Sequence, residues 1–212
     1  NTACTGIVYA LQLAESLQVA GMAKNILIIC AEEVSKMVDW TDRASCILFG
    51  DAAAAAVVAP GDNLIKIKTD CIDCGDVIIS GSRHEKTPFD TEGNDKYFPL
   101  AMNGREVYKH AVTIATYKIE SILKECGMAH SDITYYLLHQ ANLRISEAIR
   151  THIGEDESKF PSNIESFGNM SSAGIPCLLD DLNKGGKLKE GDRLLLCAFG
   201  AGFTTGTCII EW

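Results

Sequence analysis

Hydrophobic positions along the chain follow two different periods, one typical of helices and one typical of strands. Residues 4–20 carry apolar side chains at near-helical spacing and stop at Gly21, which predicts a helix. The apolar positions of this segment are Ile7, Leu11, Ala14 and Leu17. Residues 24–33 form a short isoleucine-rich run, which is typical of a buried strand. Residues 63–70 alternate between apolar and polar side chains, as an edge or half-exposed strand does.

The same patterns predict the remaining elements. Residues 44–61 are interpreted as two strands that are broken at Gly50. Residues 69–99 are polar with scattered Gly, Asp and Pro, which favours a long surface excursion. The other predicted elements are a helix over 103–125 that ends at Gly127, a strand within 133–142, a helix over 143–152, a loop and helix over 168–186, and a closing pair of strands over 191–212.

The end of the chain repeats its beginning. Gly6 and Gly174 each follow small residues and start a Gly-Ile pair, after which an apolar helix and a buried strand are predicted. Further along, a Phe-Gly pair at 49–50 corresponds to another at 199–200. An offset of roughly 170 residues indicates a duplicated α/β unit rather than a short repeat. The second copy has roughly 100 residues ahead of its helix that the first lacks, so we expect the chain to be the C-terminal two-thirds of a longer protein.

Composition and charge narrow the class of protein. The 212 residues are 47% hydrophobic, which is ordinary for a globular chain with a sizeable core. A net charge of −9 argues against nucleic-acid binding, because such proteins neutralise phosphates with Lys and Arg. No run approaches the roughly 18 apolar residues that a membrane span needs. We therefore expect a protein that has neither nucleic acid nor membrane as a partner.

The nine cysteines fit a reducing cytoplasm better than a disulfide scaffold, so we expect a cytoplasmic protein. Their number is odd, and most lie in apolar runs, where free cysteine behaves as a small buried hydrophobe. Cys71 and Cys74 have C-x-x-C spacing, but no second pair or histidine cluster completes a zinc site in the sequence. We therefore expect no metal.

Three residues at the ends of predicted elements are candidates for catalysis. Cys4 starts a helix, where unpaired N–H groups and the helix dipole lower the pKa of a thiol. His139 follows an apolar strand, and Asn169 lies in a loop beside glycine. Each also has an ordinary structural interpretation, as a buried cysteine, a core histidine and a turn-forming asparagine. Taken singly, the three residues leave both interpretations open.

The sequences around these residues are more specific than the residues alone. T-A-C-x-G around Cys4, H-Q-A-N-L-R from His139 and G-N-M-S-S-A-G-I-P around Asn169 occur in this order. They resemble the β-ketoacyl-acyl carrier protein synthase III family of condensing enzymes. Three further stretches share the resemblance: 39–55, 102–112 and 198–206.

The resemblance implies an α/β fold of the thiolase type, in which two duplicated halves pack as αβαβα layers. Residues 1–62 would be the remainder of an incomplete N-terminal half, and residues 63–212 the C-terminal half. The glycine-rich turn at 200–206 could be mistaken for a dinucleotide site, but a strand rather than a helix is predicted after it. We therefore expect no nicotinamide cofactor.

The resemblance also implies roles for the candidate residues. Cys4 would take an acyl group from a coenzyme A thioester. His139 and Asn169 would stabilise the enolate that forms when malonyl-acyl carrier protein loses carbon dioxide. The backbone N–H groups of Cys4 and Ala201 would hold the oxyanion of the condensation step. The reaction requires no cofactor, since coenzyme A and the carrier protein's phosphopantetheine enter as parts of the substrates.

Binding positions follow from the same resemblance. The residues that match coenzyme A or pantetheine contacts are Arg43, Met102, Gly104, Tyr108, Ala111, Asn142 and Phe199. A basic patch for the acidic carrier protein would consist of Lys109, Arg144 and Arg150, although charged residues of this kind are often only solvated.

The leading hypothesis is an enzyme that initiates type II fatty-acid synthesis by joining a short or branched acyl-CoA to malonyl-acyl carrier protein. We expect a homodimer when the protein is full length. The alternatives are a related condensing enzyme of secondary metabolism and an inactive fragment that keeps only the fold.

Overall fold

The computed structural model describes residues 2–74, 77–79 and 99–212. Its helices are α1 (Gly6–Val19), α2 (Gly104–Cys126), α3 (Leu143–Ile153), the single turn α4 (Ile164–Phe167) and α5 (Gly174–Lys184). Its strands are β1 (Ile26–Glu32), β2 (Ala52–Val58), β3 (Leu64–Cys71), β4 (Ile78–Ile79), β5 (Ala101–Met102), β6 (Tyr135–Leu138), β7 (Arg193–Gly200) and β8 (Thr204–Glu211).

The strands form three sheets. Strands β1 and β2 pair antiparallel, and so do the short strands β4 and β5. The main sheet has the order β3-β8-β7-β6, in which β6 and β7 are parallel and the other pairs are antiparallel. The carboxyl end of β6 and the turn between β7 and β8 therefore lie at the same edge of this sheet, and both lead to candidate residues.

Sheets and helices alternate in layers. Helices α1 and α5 lie between the β1–β2 sheet and the main sheet, and α2 and α3 cover the opposite face of the main sheet. The core between the two sheets includes Ile7, Val8, Ile28, Leu178 and Leu196. The core under α2 and α3 includes Ile119, Ile122, Tyr136, Ile149 and Leu195. This β–α–β–α order matches four of the five predicted layers, and the thiolase-like α/β fold is confirmed.

The outer face of the β1–β2 sheet is exposed and apolar. Leu27, Ile29 and Val57 have 61%, 64% and 72% of their surface exposed. Within the described residues, no helix is long and apolar enough to cross a membrane.

Most predicted elements lie where the hydrophobic pattern indicated. The long helix α2 begins after Asn103, whose side chain accepts a hydrogen bond from the Glu106 N–H, and it ends at Gly127, whose φ of 64° closes the helix. The domain boundary at residue 62 falls between β2 and β3, which belong to different sheets. Because α1 and α5 pack on both sheets, the division into domains stays a prediction.

The prediction of two strands over residues 44–61 is wrong in its first half. Residues 43–48 form successive turns, and only Phe49 makes a bridge, to Asn169. The cause is Asp42, whose carboxylate accepts hydrogen bonds from the Ala44 N–H at 2.9 Å and the Ser45 hydroxyl at 2.7 Å. Such side-chain bonds stabilise turns in spite of an apolar sequence. Of the predicted excursion over 69–99, residues 75–76 and 80–98 lie outside the described residues.

The sequence repeat appears as a structural repeat. Helices α1 and α5 both begin at the glycines of the repeat, and each follows a 3₁₀ turn, at Ala3–Thr5 and Ser171–Ala173. The first residue of each turn has a positive φ, 48° at Ala3 and 50° at Ser171. Non-glycine residues seldom adopt this conformation, so the two turns share an unusual geometry.

Candidate active site

The three candidate catalytic residues line one cavity of about 650 Å³. Cys4 comes from the turn before α1, His139 from the end of β6, and Asn169 from the loop before α5. Both halves of the repeat therefore contribute to the same cavity, as the sequence predicts.

The turn that carries Cys4 is held by threonines and by a close backbone approach. The Thr5 hydroxyl donates to the Thr2 carbonyl at 2.6 Å. The Thr5 and Thr204 hydroxyl oxygens lie 3.0 Å apart. A Cβ atom on Gly200 would lie 2.9 Å from the backbone nitrogen of Cys4. Only glycine at this position lets the end of β7 approach the Cys4 backbone so closely.

Burial raises the pKa of the Cys4 thiol to about 11, from an ordinary value of 9.0. A hydrogen bond with the Ser171 side chain lowers the pKa, and the charge of Glu32 raises it, but desolvation is the largest effect. The expectation that the helix end lowers this pKa is therefore wrong for the unliganded cavity. Near neutral pH the Cys4 thiol is therefore protonated, and a reaction through its sulfur would require removal of this proton.

His139 is buried, with 3% of its surface exposed, and burial lowers its pKa to about 4 from an ordinary value of 6.5. Its backbone N–H donates to the Cys197 carbonyl at 2.8 Å, which continues the pairing of β6 with β7. Its ring meets the Phe199 ring edge-on at a centroid distance of 5.2 Å. The buried Nδ1 has no hydrogen-bond partner among the described residues. A neutral ring with its proton on Nε2 can therefore donate into the cavity.

Asn169 is held at its backbone and at one end of its amide. Its N–H donates to the Leu48 carbonyl at 2.8 Å, and its carbonyl accepts from the Gly50 N–H at 3.0 Å. Its Oδ1 accepts from the Ser171 N–H at 2.9 Å. Because Oδ1 is engaged, the Nδ2 group is left to donate a hydrogen bond to a bound molecule.

Ala201 lies in the turn Ala201–Phe203, which lines the cavity beside Cys4. Strand β8 starts directly after this turn, as the sequence predicts. The C-x-x-C segment packs on the same turn: the Ile72 N–H donates to the Phe203 carbonyl at 3.0 Å. Within the described part of the chain, no cluster of His, Cys, Asp or Glu could hold a metal ion.

Most of the predicted binding residues line the cavity, and some do not. Those that line it are Met102, Gly104, Tyr108, Asn142, Arg144 and Phe199. Asn142 caps α3 by accepting from the Arg144 N–H at 3.0 Å, which places Arg144 in the first turn of that helix. Ala111 instead lies fully buried on the core-facing side of α2, and Arg43 is exposed in the turn after Asp42.

The predicted basic patch is smaller than expected. Lys109 is exposed on α2. Arg150, however, pairs with the Glu147 carboxylate and donates to the Glu155 carbonyl at 3.2 Å. Its charge is thus largely compensated within the chain, and Arg144 and Lys109 remain as the candidates for contact with an acidic partner.

Sequence reasoning missed several residues of the cavity. Glu32, at the end of β1, and Arg105, at the start of α2, both line it. A carboxylate directly after a buried strand is a signal that could have singled out Glu32. The apolar part of the wall consists of Val34, Met37, Leu48, Phe49, Ile78 and Leu100.

Two family models match the chain. Residues 1–72 match the model of 3-oxoacyl-[acyl-carrier-protein] synthase III, and residues 123–212 match the model of its C-terminal part. The β-ketoacyl-[acyl-carrier-protein] synthase III of Clostridium acetobutylicum is 36% identical over 216 residues, and that of Clostridium beijerinckii is 37% identical over 216 residues. The match covers the whole of this chain and 66% and 67% of those proteins. The chain belongs to the 3-oxoacyl-[acyl-carrier-protein] synthase III family.

Solved structures of this synthase III family have the same fold. The Pseudomonas aeruginosa 3-oxoacyl-(acyl carrier protein) synthase III superposes with a TM-score of 0.89 at 31% identity, covering 100% of this chain and 65% of that one. This chain spans about two thirds of the length of its relatives in the family. The roles of the individual cavity residues are therefore taken up as proposals.

Proposed function

We propose that the full-length protein catalyses the decarboxylative condensation of a short or branched acyl-CoA with malonyl-acyl carrier protein, which initiates type II fatty-acid synthesis. The observation that carries this proposal is the convergence of Cys4, His139 and Asn169 on one cavity. Membership of the synthase III family supports the same activity. The products are 3-oxoacyl-acyl carrier protein, coenzyme A and carbon dioxide, and no cofactor is consumed.

The first half-reaction acylates Cys4. Its thiolate attacks the thioester carbonyl carbon of the acyl-CoA, and the coenzyme A sulfur leaves with the electron pair and takes up a proton. Because the pKa of the Cys4 thiol is raised to about 11, the thiol is protonated near neutral pH and must lose its proton in this half-reaction. The same nucleophile then carries the acyl group while coenzyme A is exchanged for malonyl-acyl carrier protein.

The second half-reaction forms the carbon–carbon bond. The malonyl carboxylate leaves as carbon dioxide, and its electron pair passes to the thioester, whose oxygen becomes negatively charged. His139 Nε2 and Asn169 Nδ2 donate to this oxygen, where charge develops. The carbanion then attacks the acyl carbon on Cys4, the oxyanion accepts from the N–H groups of Cys4 and Ala201, and the Cys4 sulfur leaves as thiolate.

The substrates would enter past Arg105 in the first turn of α2, Lys109 further along α2 and Arg144 in the first turn of α3. Arg144, Asn142 and Tyr108 would contact the pantetheine arm, and Arg144 with Lys109 would contact the acidic carrier protein. A reducing, cytoplasmic location is supported by the nine cysteines, which are all free. The homodimer of the full-length protein stays an expectation from the family resemblance.

The test is acylation of the full-length protein followed by condensation. Incubation with acetyl-CoA alone should add one acetyl group, which mass spectrometry locates on Cys4, and malonyl-acyl carrier protein should then release a 3-oxoacyl product. Cys4→Ala should abolish the acetyl adduct, whereas Cys71→Ala, a matched change of an exposed free cysteine, should leave it intact. An acetyl group on another residue, or no product from acyl-CoA primers, would contradict the proposal.

A second candidate function is the priming condensation of secondary metabolism. The priming β-ketosynthase of the R1128 polyketide pathway superposes with a TM-score of 0.87 at 28% identity, covering 99% of this chain. The two functions use the same chemistry and differ in the carrier protein. Comparing the rate of condensation on the fatty-acid carrier protein with that on a polyketide carrier protein would separate them.

A further inference from the structure

We propose that Glu32 is a positioning residue for the condensation, which orients the Asn169 amide through the turn Ser171–Ala173. The inference rests on the proposed function and adds a residue that acts on the reaction through another. Glu32 ends β1 in the first half of the repeat, whereas the turn and Asn169 belong to the second half. The carboxylate therefore joins the two halves at the cavity that they share.

The contact between Glu32 and the turn is a pair of hydrogen bonds. The Glu32 Oε1 atom accepts from the Ser172 N–H at 3.2 Å and from the Ser172 hydroxyl. Hydrogen bonds to a charged acceptor are roughly twice as strong as neutral ones, so a carboxylate holds the turn more firmly than an amide would. A Cβ atom on Gly6 would lie 2.9 Å from the Ser172 Cβ, which shows how closely the turn packs on α1.

The same turn fixes the amide of Asn169. The Ser171 N–H donates to Asn169 Oδ1 at 2.9 Å, which turns the Nδ2 group away from the turn. Ser171 has a φ of 50°, a conformation that a non-glycine residue keeps only when its surroundings enforce it. The Glu32 carboxylate is bonded to the next residue and supplies such enforcement. If the turn relaxes, the Ser171 N–H moves and the direction of the Asn169 donor is lost.

The negative charge of Glu32 has a second effect on the cavity. It raises the pKa of the Cys4 thiol, against the hydrogen bond with Ser171 that lowers it. Among the other described residues that line the cavity, His139 is neutral, and Arg105 and Arg144 carry positive charges. A carboxylate at position 32 therefore holds the turn but makes ionisation of Cys4 less favourable.

The variants Glu32→Ala and Glu32→Gln separate these two effects in the full-length protein. Glu32→Ala removes the acceptor, so decarboxylation of malonyl-acyl carrier protein should fall at least about tenfold, because a displacement of 1 Å can cost about 100-fold. Glu32→Gln keeps an oxygen acceptor and should restore most of that rate. Both changes remove the charge, but only Glu32→Gln also keeps the turn that carries Ser171, whose hydrogen bond lowers the pKa of Cys4. The pH midpoint of Cys4 alkylation by iodoacetamide should therefore fall in Glu32→Gln.

The control is Glu33→Gln, which removes a neighbouring carboxylate whose side chain is 52% exposed and pairs with Lys36. It should change neither the decarboxylation rate nor the alkylation midpoint. Ser172→Ala provides an independent perturbation, since it removes the hydroxyl donor and leaves the charge, and it should slow decarboxylation without lowering the midpoint.

Two results would overturn the inference. One is a decarboxylation rate in Glu32→Ala within twofold of the wild type. The other is an equal loss of acylation and decarboxylation together with a lower melting temperature, which would mean that Glu32 only stabilises the fold. If Glu32→Ala does not fold, then Ser172→Ala with an unchanged decarboxylation rate overturns it.

Failure of the proposed function would give a different pattern. A wild-type protein that forms no acyl-Cys4 and no 3-oxoacyl product would refute the condensing activity. The alkylation midpoints do not depend on that activity, so they would still show whether Glu32 acts on Cys4.

Discussion

Replacing Gly50 by alanine tests whether the backbone around residue 49 holds Asn169 in place. A Cβ atom at Gly50 would lie 1.9 Å from the Phe167 carbonyl oxygen, and such contacts are not found below 3.0 Å, so the two segments must separate by about 1 Å. That separation strains the two backbone hydrogen bonds between them, from the Asn169 N–H to the Leu48 carbonyl and from the Gly50 N–H to the Asn169 carbonyl. At about 1 kcal/mol net for each bond, the variant should lose about 2 kcal/mol of stability.

The effect on catalysis should be larger in one half-reaction than in the other. A shift of about 1 Å at Asn169 lowers the decarboxylation rate by up to about 100-fold, while acylation of Cys4, which does not use the Asn169 amide, should change little. The assays are urea unfolding, the rate of carbon dioxide release from malonyl-acyl carrier protein, and the acylation rate from acetyl-CoA.

The matched control for this change is Gly61→Ala, whose added Cβ would meet only the Asn63 side-chain oxygen, at 3.2 Å. It should be neutral in all three assays. The reasoning would be refuted if Gly50→Ala unfolded at the wild-type urea concentration and released carbon dioxide at the wild-type rate.

Two further predictions concern charge. Burial lowers the pKa of His139 to about 4, so between pH 6.5 and 4 the unfolded chain binds a proton that the folded chain does not. The free energy of unfolding should therefore fall as the pH is lowered through this range. In urea titrations at pH 5 and 7, His139→Gln should reduce this pH dependence. Arg144→Ala should raise the KM for the carrier protein in a salt-dependent way. The charge of Arg150 is already paired with Glu147, so Arg150→Ala should change this KM by less than about twofold. Equal effects of the two variants would contradict a patch that excludes Arg150.

The elements that the sequence predicts well are those whose hydrophobic period is set by burial on one side. Helix α2 has a continuous apolar face, an asparagine cap and a closing glycine, and its bounds differ from the prediction by one residue at each end. The segment at 43–48 is apolar as well, but local hydrogen bonds to Asp42 hold it in turns. Periodicity does not detect such bonds, since they depend on one polar side chain at the right distance along the chain.

Some features of the candidate site can likewise be predicted from the sequence, and others cannot. Cys4, His139 and Asn169 follow from short motifs at element ends, and the cavity brings them together. The direction of the Cys4 pKa shift does not follow from the sequence, because the helix end and burial act in opposite directions and the degree of burial is a tertiary property. Glu32 was missed for a similar reason: its partner Ser172 is 140 residues away, and only the packing of the two halves shows the contact.

The two turns of the repeat have the same backbone but different side chains at the cavity. The turns before α1 and α5 have the same backbone, with a positive φ at Ala3 and at Ser171, yet the next residue is Cys4 in one and Ser172 in the other. In the first turn that side chain lines the cavity, whereas in the second it donates to Glu32. The same backbone geometry thus presents a thiol to the cavity in one half and an anchoring hydroxyl to Glu32 in the other. Because the anchored turn also orients Asn169 and bonds to Cys4 through Ser171, a change at Glu32 that relaxes this turn should affect both half-reactions.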